Sequence, residues 1–228
     1  MAEWRLLSGW SSDALRARLE QIRTRTRNFD AVEEEMTAEG GWHHYHSEAV
    51  IERDTVGDAS FARARHALAN YEFSDPRIVV AHFDPATPLL TRRVLLEIRI
   101  WGLRYLCPAL VTHVRDEQNV YGFRYDTLEG HIERGVEWFL LAKDGAGNIH
   151  FRIEARWQRG QFPNWWSRLG FTVLSGHYQR RWHRQAHRRL SLLARYGSTR
   201  RPPRDGAGLT HQGIDVTFTY HTKNRRSQ

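Results

Sequence analysis

Within the stretch Tyr-Gly-Phe-Arg-Tyr-Asp-Thr-Leu-Glu-Gly-His-Ile-Glu-Arg-Gly-Val-Glu-Trp-Phe, positions 121–139, three ionisable side chains fall inside seven positions: His131, Glu133 and Glu137. An imidazole titrates near neutral pH, so His131 beside a carboxylate is a candidate general base, with Glu133 or Glu137 orienting it. The structural alternative is equally open. His131 and Glu133 can hydrogen-bond loop backbone and lock a turn, with Gly130 and Gly135 supplying backbone angles that other residues dislike. No nucleophile or oxyanion hole is identifiable beside them, so the catalytic case stands incomplete. Glu97 and Glu137 each alternate in phase with apolar neighbours; pointed into a cavity, either would be an acid of raised pKa or a ligand anchor. For Glu97 the expectation is an outward-facing carboxylate paired with Arg99 or Arg152.

The aromatics of the same stretch, Tyr121, Phe123, Tyr125, Trp138 and Phe139, are candidate walls of an apolar pocket, together with Tyr178 further on. His43, His44 and His46 match no defined metal site, and His183 and His187, four apart on a helix, lack the glutamate of a metalloprotease frame. Both clusters are expected to face solvent, and no metal is assigned. Arg180, Arg181, Arg184, Arg188 and Arg189 make a basic helix face interleaved with Tyr178 and Trp182, a mixture seen in nucleic-acid and anionic-surface binders. Trp182 belongs to the apolar stripe, which argues against its stacking on bases. No glycine-rich phosphate loop calls for a nucleotide, and no cofactor is expected.

The elements that must position these residues follow from patterning. Residues 12–27 read as an amphipathic helix capped by Ser12, with Leu15, Leu19 and Ile22 on one stripe. Residues 40–46 read as a loop before an apolar strand at 49–51. A short helix beginning at Asp58 carries Phe61, Ala64, Arg65 and Leu68, and Asp75-Pro76 closes it. Six strand-like runs follow, at 78–83, 93–101, 109–114, 120–125, 136–142 and 149–157; in the last, Ile149, Phe151, Ile153, Ala155 and Trp157 alternate with polar residues. On the fifth run, Glu137 shares a face with Phe139 and Leu141. The turn signal Asp-Gly-Ala-Gly-Asn between the fifth and sixth runs suits an antiparallel hairpin. Residues 164–195 turn helical, with Leu174, Tyr178, Trp182, Ala186, Leu190 and Leu193 stepping along one side. The expected architecture is α+β: about seven antiparallel strands in a curved sheet wrapped on a long C-terminal helix, with an extra N-terminal helix. Three segments are expected: an N-terminal helical extension (1–40), the domain proper (41–196) and a basic, flexible tail (197–228) in which residues 214–220 can add a strand.

Length and charge bound the rest. A chain of 228 residues suits one domain with appendages. The single cysteine, Cys107, excludes an intrachain disulfide and fits a reducing compartment. With no leader-like start and no apolar run of membrane-spanning length, a soluble cytoplasmic protein is expected. The net charge of +8 is concentrated at the C-terminal end: residues 161–196 contain seven arginines and no acid, and the first 160 positions are net acidic.

Gly122, Phe123, Tyr125, Thr127, Leu128, Gly130, His131, Glu133, Gly135, Glu137 and Phe139 fall on the pattern G-F-x-Y-G-T-L-x-G-H-x-E-x-G-E-E-x-F. The stretch thereby resembles the signature of the DUF1990 (UPF0548) family. Asp126 stands where a glycine is usual and is expected to stiffen the turn; Val136 replaces the first of two acids and removes a carboxylate pointing away from Glu137. A weaker resemblance runs from the Phe61 helix through Cys107-Pro108 to Gln179-Arg180-Arg181. The family is similar in topology to the START/Bet v 1-like helix-grip (SRPBCC) superfamily, whose members hold apolar small molecules between sheet and long helix and in some branches catalyse cyclisation or hydrolysis. That resemblance implies binding of a lipid, polyketide or aromatic molecule. The alternatives are acid–base catalysis by His131 with Glu133 or Glu137, and nucleic-acid or anionic-surface binding through Arg180, Arg181 and Arg184.

Overall fold

The computed structural model describes residues 3–53, 58–162, 165–197 and 214–221, with side chains described outside 165–175. Its described strands are β1 (Glu3–Leu6), β2 (His43–Glu52), β3 (Val79–His82), β4 (Arg93–Ile100), β5 (Leu103–Asp116), β6 (Val120–Thr127), β7 (Glu133–Lys143), β8 (Ile149–Arg159) and β9 (Thr217–His221). The helices are α1 (Ser12–Gln21), α2 (Ala59–Ala69) and α3 (Trp165–Tyr196). All strands join one antiparallel sheet in the order β3-β4-β5-β6-β7-β8-β2-β9, with β1 added alongside β5. Six consecutive strands form a meander, as short connections without intervening helices require, and β2 closes its far edge against β8. Register shifts between Val111 and His113 and between Val50 and Glu52 bend the strands, because an unopposed residue increases local curvature.

The curved sheet holds α3 and α2 against one face. Along α3 the buried residues Trp182, Ala186, Leu190 and Ala194 recur every four positions, the spacing of one helix side; the expected stripe continues to Leu174, whose side chain lies outside the described ones. Under α2 the packing is solid: Phe73, Phe123, Phe139 and Phe151 are fully buried, with ring centroids 5.0 Å apart for Phe73–Phe139 and 5.1 Å for Phe123–Phe139. The N-terminal segment runs along the opposite, convex face. There Arg93 donates to the Arg25 carbonyl, and Glu33 accepts from Arg124 at 2.7 Å.

Several expectations change at this level. The first helix ends at Gln21, and its cap is Ser11, whose hydroxyl accepts from the Ala14 N–H at 3.2 Å. His43, His44 and His46 lie within β2 and not in a loop, because Tyr45, Ser47, Ala49 and Ile51 form a buried alternating face that extends the strand to ten residues. Asp126 sits in regular pairing with Val136 and not in a turn; its buried carboxylate accepts from Arg124 at 2.9 Å and from the Thr112 hydroxyl at 2.7 Å. The tail after Gly197 falls mostly outside the described residues, apart from β9 and its approach. Among the described residues no helix is long and apolar enough to cross a membrane.

Candidate functional site

Side chains on the helix-facing side of the sheet stand in cross-strand rows, and these rows decide where space remains. Tyr121 pairs with Leu141 and Phe123 with Phe139, both within the solid half. One step further along the strands, Tyr125 pairs with Glu137, Glu137 with Ala155, and Ala155 with Tyr45. In this row the place that would continue the aromatic packing is taken by a methyl group. The next row is opened again by Gly135, opposite Trp157. A Cβ at Gly135 would stand 2.0 Å from the Arg156 carbonyl oxygen, and φ is +147°, so the strand accepts only glycine there. Gly135 also leaves Glu133 and Glu137 on the same face with no side chain between them.

The result is a cavity of about 240 Å³ between the sheet and α3. Leu96, Ile98, Leu103 and Ile132 make its aliphatic wall; Tyr105, Trp157, Tyr178 and Trp182 make an aromatic one. The polar groups gather at one end. Tyr125 donates its hydroxyl to Glu137, and the Gln179 amide donates to Glu133 at 3.4 Å. Tyr45, Tyr71, His131 and His183 complete this end.

Both carboxyls face the cavity. Burial pushes Glu133 up to about 8, with the neighbouring Glu137 carboxylate adding to the shift and the Gln179 amide opposing it. Burial likewise raises Glu137 to about 7, against the hydrogen bond from Tyr125. The pair therefore shares protons near neutral pH, since two carboxylates in one apolar pocket resist ionising together. Burial pushes His131 down to about 4, which keeps the ring neutral. Its Nδ1 accepts the Glu133 backbone N–H at 2.9 Å. The Glu133 carbonyl oxygen lies 3.1 Å from the same nitrogen, so either tautomer finds a partner at Nδ1, while Nε2 lies buried without a hydrogen-bond partner.

His131, Glu133, Glu137, Tyr125 and Tyr178 are thus brought together around one space. The link between His131 and Glu133 runs through the backbone, not through the carboxylate expected to orient the ring. Tyr121, Phe123 and Phe139 are not cavity walls: they lie one or two rows away in the solid half, where Arg65 covers the Tyr121 ring. Trp138 projects from the convex face, its Nε1–H donating to Glu33 at 3.3 Å. Alternation alone puts it there, opposite to Glu137.

Glu97 is on the convex face, as expected of an outward carboxylate, but it is buried. There it accepts from His82, Arg99 and Arg104 at 2.8–3.2 Å. Burial would raise its pKa, yet these hydrogen bonds outweigh it and hold the group at about 2. Arg152 pairs with Glu48 instead, at 3.2 Å.

His183 and His187 are buried, contrary to a solvent-facing reading. Both rings approach the Ser47 hydroxyl, at 2.6 and 3.0 Å, and burial depresses both pKa values. The helical stripe is wide enough to take them in because Ser47, on β2, offers one hydroxyl to both. Arg180, Arg181 and Arg184 are exposed on α3, with Arg184 over the Phe218 ring of β9.

Tyr45, Tyr71, Ala155, Trp157 and Gln179 were not among the residues singled out from sequence as site candidates. The alternation of Tyr45 with Ser47, Ala49 and Ile51 was the available signal for the first. The position of Tyr71, at φ +60° just past α2, has no local signature.

Fold and site together define a helix-grip α+β domain with an internal, amphipathic cavity. The sequence model of the DUF1990 family, described as a domain of unknown function, matches residues 28–189, and the chain belongs to that family. A UPF0548 protein of Deinococcus radiodurans is 33% identical over 107 residues, covering 42% of this chain and 54% of the relative. The chain thus spans about half the length of that curated relative. Among solved structures, a hypothetical protein of Helicobacter pylori superposes with a TM-score of 0.44 at 13% identity, over 76% of this chain and 98% of the other. Human STARD10 superposes with a TM-score of 0.42 at 9% identity, over 82% of each chain.

Proposed function

We propose that the protein binds a small, mostly apolar molecule in the cavity between the sheet and α3, with the polar part of that molecule turned toward Glu133, Glu137 and His131. One observation carries this reading: a volume of about 240 Å³ is left open where the neighbouring rows are packed solid. Interiors close-pack unless something else occupies the space. Size narrows the class. An apolar cavity of roughly 150 Å³ holds a single benzene ring, and drug-sized pockets begin at roughly 300 Å³. The space therefore suits a one- or two-ring aromatic body.

Titration of the full chain with neutral indole tests the reading. Saturable binding is expected, together with its loss in Ala155→Phe, which refills the row between Glu137 and Tyr45. Equal binding by wild type and Ala155→Phe would sink it. Native mass spectrometry of the purified protein is expected to show a co-purifying small molecule.

Acid–base catalysis on the bound molecule is a second reading, favoured by two cavity-facing carboxyls poised near neutrality. In it Glu137 moves the proton, and the neutral His131 ring offers its unpartnered Nε2 as a hydrogen-bonding group. Turnover of a co-purified ligand would then show a break near pH 7–8 and vanish in Glu137→Gln. A profile without that break would count against it.

A further inference from the structure

We propose that the occupant of the cavity carries a primary ammonium group on its aromatic or apolar body, held by the carboxylates of Glu133 and Glu137 and the amide oxygen of Gln179. This rests on the cavity being a binding site, as argued above. Gln179 spends its Nε2–H on Glu133, which turns Oε1 into a free acceptor, and that oxygen is buried without a partner. The three groups are therefore three acceptors lining one end of the cavity, and an ammonium is a compact charge with three donors.

The donor side of the same end is nearly complete. The Tyr125 hydroxyl is committed to Glu137. The Tyr45 hydroxyl and His131 Nε2 are unpartnered, on residues only 4% and 3% exposed, while the Tyr71 hydroxyl interacts with that of Tyr125. With Gln179 Oε1, three buried polar atoms left open around one space mark a site shaped for a polar group, because a buried polar group without a partner is costly.

Charge decides among possible head groups. Among the described residues no Lys or Arg forms an ion pair with Glu133 or Glu137. The groups facing them from β2, β6, α3 and the segment after α2 are Tyr45, Tyr125, Tyr178, His183 and Tyr71, all neutral at pH 7, as is His131. On β8 the cross-strand partner of Glu133 is Arg159, which is exposed and forms no ion pair with it, while Arg180 and Arg184 act on Tyr45, and Arg180 and Arg159 on Tyr220. An anionic ligand would bring a third negative charge into this pocket. A neutral alcohol would supply donors but no compensation for ionised carboxyls. A cation supplies both, and the rings of Tyr45, Tyr178, Trp157 and Trp182 present further π-faces to it. Binding R–NH₃⁺ draws a proton from the carboxyl pair and releases it to solvent, so the amine is taken up more tightly as the pair ionises.

The test compares tryptamine, indole-3-ethanol and indole-3-acetate, with phenethylamine as a smaller ammonium, by calorimetric titration of the full chain at pH 6 and pH 8. Tryptamine is expected to bind at least about tenfold more tightly than the alcohol, as befits a charge-assisted contact, with the acetate weakest. Its affinity should rise from pH 6 to pH 8 with proton release measurable between buffers of different ionisation enthalpy. Glu133→Gln and Glu137→Gln should each cost tryptamine at least about tenfold more than they cost the alcohol. Both changes are isosteric and remove a buried charge, so folding is preserved.

Equal or tighter binding of the alcohol or the acetate overturns the proposal, as does failure of both amines to bind. In either case saturable binding of neutral indole would show the cavity reading still standing. Its absence would take that reading down separately.

Discussion

At the scale of single residues, the site is decided by which atom of each side chain is already committed. His131 meets the Glu133 backbone through Nδ1, 2.9 Å from its nitrogen and 3.1 Å from its carbonyl oxygen, and leaves Nε2 unpartnered. Glu137 holds one hydrogen bond, from Tyr125, and no counter-charge among the described residues. Its raised pKa has a stability consequence whose sign is fixed. The folded protein holds a proton that the unfolded chain releases near pH 4.5, so this carboxyl opposes folding increasingly as pH rises from 4.5 to about 7. Glu137→Gln is expected to stabilise the empty protein by about 1–3 kcal/mol at pH 8 and little at pH 4.5, read as a shift in urea midpoint. A uniform shift at both pH values would mean that the carboxyl is not held protonated by its surroundings. The triplet His131, Glu133, Glu137 was legible in sequence because all three lie on one short stretch. The way they connect was not: period-two alternation gives a face, but not whether a carboxylate or a backbone amide meets the imidazole.

At the scale of elements, β7 is the part on which the site depends. It carries Glu133 and Glu137 with Gly135 between them, and it pairs along its length with β6 and β8. Gly135→Ala places a methyl group 2.0 Å from the Arg156 carbonyl oxygen and is expected to cost at least about 2 kcal/mol, from backbone strain plus separation of β7 from β8. Chemical denaturation measures it, and a neutral outcome would remove the reason given for glycine there. The meander, the short second helix and the long C-terminal helix were legible because each run carries its own periodicity over six residues or more. Edge strand β1, of four residues, is too short for a clear pattern, whereas the late strand expected within residues 214–220 is found as β9. β2 reads as shorter from sequence because three histidines fall in its first four positions, two of them on its polar face, and resemble a loop. Pocket walls were misjudged in the same way. Period two reports that Phe123, Tyr125, Glu137 and Phe139 share a side, but only the register of four neighbouring strands tells which row lies over α2 and which over the gap.

At the scale of the whole molecule, buried ionisable groups set opposing slopes of stability against pH. His131, His183 and His187 are neutral in the fold, with pKa values below the ordinary 6.5 because of burial. The unfolded chain therefore takes up protons first as pH falls below 6.5, and stability declines by roughly 1.4 kcal/mol per pH unit for each such histidine. Glu133 and Glu137 act oppositely, costing stability as pH rises from 4.5 toward 7–8. Between 4.5 and 6.5 three histidines outweigh two carboxyls; above 6.5 only the carboxyls remain. The empty protein is expected to be most stable near pH 6.5, as read from melting temperature across pH 4–9. Glu133→Gln combined with Glu137→Gln should flatten the alkaline side alone, and a loss on the acid side instead would contradict the assignment.

The division of the space under α3 has one more consequence. The phenylalanine-filled half is packed ring against ring, while the half beyond Ala155 leaves space between its side chains. Substitutions that recut the second half can therefore change what is admitted without toppling the first. Members of one lineage can differ in their guests while sharing a frame, and a screen for new specificities should begin at Ala155, Tyr45 and Gln179 rather than at Phe123 or Phe139.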